Sequence, residues 1–263
     1  FLPQIAISLY VTLDRTMLGA LASTTDVGIY DQALKLVNIL LTLVTSLGSV
    51  MLPRVSNLLS KGNNEAVNRM HQVSFLIYNL VIFPIIAGML IVNNDFVKFF
   101  LGNDFQDARY AIAIMIFRMF FIGWTNIMGI QILIPHNKNK EFMTSTTVPA
   151  IISVGLNLLL LPKFGYIGAS VVSVLTEALV WFIQLYFTRE YLRKVPIFAS
   201  MFKIFLASIL MYFVLSLLKT GMHFVPLVNV VICAVVGGIL YVLQILLFRV
   251  VSLKELKEQL FNK

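Results

Sequence analysis

Charge is scarce in this sequence: only 12% of its 263 residues are Asp, Glu, Lys or Arg, while 59% are hydrophobic. Soluble globular domains carry roughly 25% charged residues, so a soluble domain is excluded and an integral membrane protein is indicated. Cysteine is scarcer still. Cys233 stands alone inside an apolar run, which rules out a disulfide framework and a cysteine metal site. The three histidines, His71, His136 and His223, fall in separate loops between apolar runs with no partner at catalytic or metal-ligand spacing, and we expect them to be solvated. No cofactor and no metal is called for. A basic patch interleaved with aromatics is also missing, so the net charge of +8 does not point to nucleic acid. The chain opens Phe-Leu-Pro, with neither a starting Met nor a signal-peptide pattern, and is expected to be part of a longer protein.

What the sequence does have is long apolar runs. About 20 apolar residues cross a bilayer as a helix. Eight runs meet that length, at 2–22, 29–52, 73–92, 110–134, 143–161, 166–187, 197–218 and 225–248. The fold expected is therefore all-α, with about eight transmembrane helices and a short amphipathic tail over 250–263. Lysine and arginine set the orientation, because cytoplasmic loops retain them. Thirteen lie beyond the second, fourth, sixth and eighth runs and four beyond the others, which predicts both ends of this chain on the cytoplasmic side of a plasma membrane. The opposite loop, 93–107, is acidic. Pro84 and Pro149 interrupt apolar runs and predict bends.

Three cations, Arg15, Lys35 and Arg118, remain inside the spans. A charge there costs on the order of 3 kcal/mol even on the lenient insertion scale, so each needs a partner or a wet surface. Counting about 1.5 Å per residue puts all three at similar depth in the outer half of the membrane, where they can converge on one cavity. On the first span Gln4, Ser8, Thr12, Arg15 and Gly19 share a face. On the second, Asp31, Lys35, Asn38, Thr42, Thr45 and Ser49 form a continuous polar stripe at helical spacing. The structural alternatives are pairing of Arg15 with Asp14 or Asp31, snorkelling of Lys35 to the interface, and pairing of Arg118 with a carboxylate. Asp14, one residue from Arg15, is turned about 100° away and reads as a tuning or packing partner. Glu177 is an acid near mid-membrane, on the stripe Tyr166, Ser170, Ser173, Glu177, Trp181 and Gln184. It can stay protonated, pair with a cation, or act as a proton or sodium coupling site.

Several stretches resemble the Wzx-type polysaccharide or oligosaccharide flippases of the MATE-like transporter superfamily. They are Leu13-Asp14-Arg15-Thr16-Met17-Leu18-Gly19, Gly28-Ile29-Tyr30, Leu52-Pro53-Arg54-Val55-Ser56, Gln131 to Pro135, Leu156-Asn157-Leu158, and Leu161 to Ala169. The resemblance implies a two-lobe transporter, of which residues 1–190 would be the second six-helix lobe and 191–249 two additional helices. It implies alternating access with an N-terminal lobe missing from this chain. The substrate implied is an undecaprenyl-pyrophosphate-linked oligosaccharide, and no enzymatic step is involved. Arg15, Lys35 and Arg118 suit the pyrophosphate, since Arg offers planar bidentate donors to phosphate oxygens. Asn38 and Thr42 suit sugar hydroxyls, and Glu177, Asp14 and Asp31 are the coupling or pairing acids. Membrane lipids are the remaining partners. The same architecture would serve a multidrug and toxin exporter or a lipid-linked peptidoglycan precursor flippase. An exporter of organic cations would want more carboxylates in its cavity, and a membrane glycan polymerase or ligase would want a larger outer loop rich in Arg or His.

Overall fold

A backbone surrounded by hydrocarbon must satisfy its own N–H and C=O groups, and this chain does so with helices. The computed structural model describes residues 2–222 and 224–250, so His223 and the tail over 251–263 lie outside the described residues. Side chains up to residue 11, and those of 43, 44, 47 and 49, lie outside them too, which removes Gln4, Ser8 and Ser49 from the two stripes. The helices are α1 Leu2–Leu21, α2 Thr24–Ser60, α3 Asn64–Phe100, α4 Ala108–Met115, α5 Arg118–Thr125, α6 Asn139–Leu192, α7 Phe198–Thr220 and α8 Pro226–Leu247. A π-helix, Asn126–Leu133, continues α5, so that α4, α5 and the π segment together make one broken span.

Helix α6 is two antiparallel limbs, 139–164 and 166–192, joined at Gly165 with φ 49° and ψ −130°. A Cβ on Gly168 would sit 2.8 Å from the Leu160 carbonyl oxygen, and Gln184 Nε2 donates to Ser145 Oγ at 3.1 Å. Both contacts require the chain to fold back on itself. The reversal is fixed from outside by Asp26: its Oδ1 accepts the Tyr166 backbone N–H at 3.0 Å, while its own N–H and Oδ2 bond to Ser23, the N-cap of α2. One carboxylate thus ties the α1–α2 turn to the α6 hairpin.

Five helical stretches among the described residues are long and apolar enough to cross a membrane: Asn64–Phe100, Ala108–Leu133, Asn139–Leu192, Phe198–Thr220 and Pro226–Leu247. The protein is an all-α, multi-pass membrane protein. Exposed Phe202, Phe213, Leu217, Val235, Ile239 and Leu243 on α7 and α8 are the lipid-facing surface such a protein needs.

Some helices outrun the apolar runs that announce them. At 37 residues α2 and α3 are each about 55 Å long, well beyond a hydrocarbon core of about 30 Å. Pro53, just past the run 29–52, therefore lies inside α2, and Asn93 to Phe100, expected in a loop, forms the last turns of α3. One histidine expected to be solvated is buried, and another is half-buried. His71 is 1% exposed with Nε2 3.1 Å from the Gln131 carbonyl, and His136 places Nδ1 2.8 Å from the Ile132 carbonyl beside the Tyr191 ring. In the bundle α1 packs chiefly on α6, α2 on α3 and α4, and the α7–α8 pair on α3. Lys219 Nζ reaches Asp95 at 3.1 Å, and Tyr241 donates to the Leu80 carbonyl at 2.9 Å, fastening that pair to α3.

Candidate functional site

The polar residues of the spans separate into an exposed face and a buried cluster. The face is built by α1 and α2. Arg15 Nε lies 2.8 Å from Asp31 Oδ1, with side chains 41% and 28% exposed, so this ion pair bridges the two helices while keeping one side open. One turn further along α2 stands Lys35, then Asn38 and Thr42, all exposed. The Thr42 hydroxyl donates to the Asn38 carbonyl at 2.6 Å, leaving the Asn38 amide group outward. Two cations against one carboxylate give the face a positive balance. Thr12 and Thr16 extend it along α1.

The buried cluster gathers Asp14, Arg118 and Glu177. Asp14 is 3% exposed, so adjacent residues of α1 serve opposite surfaces. Its Oδ1 accepts Asn157 Nδ2 at 2.5 Å from the first limb of α6, and the buried Tyr30 of α2 stands close to the same carboxylate. Arg118 Nη2 donates to Glu177 Oε1 at 3.3 Å, both side chains being more than nine-tenths buried. Ser173, buried one turn before Glu177 on the second limb of α6, stands near Tyr30. The break between α4 and α5 sets Arg118 here. Phe117, Met119 and Phe120 donate three residues back, to Ile114, Ile116 and Phe117, tightening the helix to 3-10 pitch where the guanidinium leaves it.

The convergence of three cations on one face is therefore corrected: Arg15 and Lys35 share it, while Arg118 lies inside the bundle against Glu177. A long Arg side chain with a carboxylate in reach loses less by pairing than by standing alone in an apolar interior. Asn157 and Tyr30 are members of the cluster that residue-by-residue reading passed over. A single amide in the apolar run Ile151 to Leu161 was the available signal, because a buried amide needs a partner.

The chain matches the family described as "Polysaccharide biosynthesis protein" over residues 1–110. It is 29% identical over 195 residues to the putative O-antigen transporter of Escherichia coli K12, covering 72% of this chain and 46% of that protein. To the probable low-salt glycan biosynthesis flippase Agl15 of Haloferax volcanii it is 22% identical over 174 residues, 64% of this chain and 36% of the other. Among solved structures, the lipid II flippase MurJ in its inward closed conformation superposes with a TM-score of 0.81 at 15% identity, over 94% of this chain and 52% of that one. The chain thus spans less than half the length of these curated relatives, and it shares the MurJ fold.

Proposed function

We propose that this chain, which matches the polysaccharide biosynthesis family over residues 1–110 and is similar to an O-antigen transporter and a glycan flippase, is a Wzx-type flippase and forms one half of a transporter that flips an undecaprenyl-pyrophosphate-linked oligosaccharide across the plasma membrane. Residues 1–190 act as the second six-helix lobe and 191–249 as two appended helices, with both ends cytoplasmic. The role is transport, with no catalytic step.

The observation that carries this reading is the exposed polar face. In a bundle whose other surfaces are largely apolar, Arg15, Lys35, Asn38 and Thr42 stand open on one side of α1 and α2. Hydrocarbon would not tolerate that side, so it faces a water-filled cavity closed by a partner lobe. There Lys35 and Arg15 neutralise the pyrophosphate, while Asn38 and Thr42 meet sugar hydroxyls. Rocking of the two lobes exposes the cavity to each leaflet in turn.

The buried cluster serves coupling. It holds two carboxylates and one guanidinium, and Asn157 Oδ1 is a buried acceptor with no protein partner. Acceptors in excess of donors suit a transferable proton or sodium ion. In cells lacking the gene, lipid-linked oligosaccharide should accumulate on the cytoplasmic leaflet and surface polysaccharide should disappear. Unchanged surface glycan together with lost efflux of cationic dyes would instead assign the fold to drug export.

A further inference from the structure

A second polar site lies away from both of these, at the end of the bundle that carries most of the loop lysines and arginines. There the first turns of α3, the turn before α6 and the end of α6 enclose a cavity of about 220 Å³. Its polar lining is Asn64, Asn68, His71, His136, Tyr191 and Lys194. No carboxylate lines it.

The two imidazoles define what such a cavity accepts. His71 Nε2 faces the Gln131 carbonyl at 3.1 Å, so that nitrogen carries the hydrogen and Nδ1 presents a lone pair. That Nδ1 is buried and has no protein partner. His136 is the mirror case: Nδ1 faces the Ile132 carbonyl at 2.8 Å, leaving Nε2 as the acceptor. Beside these two acceptors stand one ammonium, from Lys194, and the amide donors of Asn64 and Asn68. Lys138 Nζ, 5.7 Å from the centroid of the Tyr191 ring, is paired with Glu141 at 3.9 Å, so Lys194 is the cation of the cavity. A metal ion is disfavoured by the Lys194 ammonium, and no cluster of three or more metal-ligating side chains occurs among the described residues. A neutral His71 ring offers an anion no donor at Nδ1, and an ammonium is the group that matches that buried lone pair.

We propose that this cavity binds a phosphoryl group joined to an ammonium, the chemistry of an ethanolamine-phosphate headgroup. The phosphate accepts from Lys194 and the two asparagine amides, and the ammonium donates to His71 Nδ1 and His136 Nε2. Two carbons separate charge centres in such a headgroup, and the cavity has room for both. Its place at the helix ends, beside the loop lysines and arginines, suits a lipid headgroup, and the lipid is then a molecule of the surrounding membrane, separate from any transported cargo.

The test uses purified full-length protein in detergent, titrated with phosphatidylethanolamine or phosphatidylglycerol and read by native mass spectrometry. Soluble phosphoethanolamine and inorganic phosphate are titrated in parallel by calorimetry. Retention of phosphatidylethanolamine at least fivefold above phosphatidylglycerol, falling at least fivefold in Lys194→Ala and in Asn68→Ala but not in Lys203→Ala, is the expected result. These rim positions keep the buried His71 contact intact, so loss of fold does not confuse the outcome. Binding of soluble phosphoethanolamine but not inorganic phosphate would support the paired-charge chemistry; equal binding of the two would overturn it. Wild-type retention in both rim variants would remove the site altogether. Because no transport is measured, the flippase reading stands or falls separately.

Discussion

Replacing Gly165 with alanine tests how the α6 hairpin is held. At φ 49° and ψ −130° the residue occupies a region that L side chains rarely enter, which costs about 1–3 kcal/mol for any non-glycine residue. The added Cβ would also fall within 2.9 Å of Asp26 Cγ, displacing the carboxylate that accepts the Tyr166 N–H. Losing that charge-assisted, partly buried bond adds about 1.5 kcal/mol. Together these give about 3 kcal/mol, measurable by denaturant unfolding of the purified full-length protein in mixed micelles. Gly155→Ala is the control, since nothing lies within 4 Å of its Cβ position and alanine favours the helix by about 0.5–1 kcal/mol. An Asp26→Ala, Gly165→Ala cycle should be non-additive, because the glycine change already removes the Asp26 contact. Equal stability of Gly165→Ala and Gly155→Ala, within about 0.5 kcal/mol, would refute this reasoning.

Three further outcomes are expected. Arg118→Leu or Glu177→Leu alone leaves a buried charge without its partner and should destabilise by about 3–5 kcal/mol, whereas the double change should recover most of that in the same unfolding assay. Lys219→Met removes the cation held by Asp95 on α3, and should speed amide hydrogen exchange in α8 while leaving α1 unchanged. Asn157→Leu takes the donor from Asp14, and if the cluster couples transport, it should abolish the dependence of flipping on an imposed ion gradient, read as initial rates with and without the gradient.

The span pattern was legible because apolar length acts locally. Even the α6 reversal falls in the gap between two apolar runs, 143–161 and 166–187. The positions of Asp14 and Arg15 on opposite surfaces followed from helical geometry alone. What escaped were features decided by tertiary contact. Arg118 is absent from the polar face because a helical break and Glu177 meet it in the interior, and no period in the span predicts that break. His71 is buried because α3 begins before its apolar stretch and meets the Gln131 carbonyl of the π-helix. Asn157 acquires its role only when the hairpin brings it to Asp14, 143 residues away.

The central claim is that the open face of α1 and α2 meets the charged part of a lipid-linked glycan. It is tested most directly by reconstituting the full-length protein in liposomes and measuring flipping of undecaprenyl-pyrophosphate oligosaccharide by Arg15→Ala, Lys35→Ala and the double variant. Each single change should slow flipping at least tenfold, equivalent to about 1.4 kcal/mol, and the double change more, while Lys35→Arg retains most activity and unfolding stability stays near that of the parent. Parental flipping rates in the double variant would contradict the account.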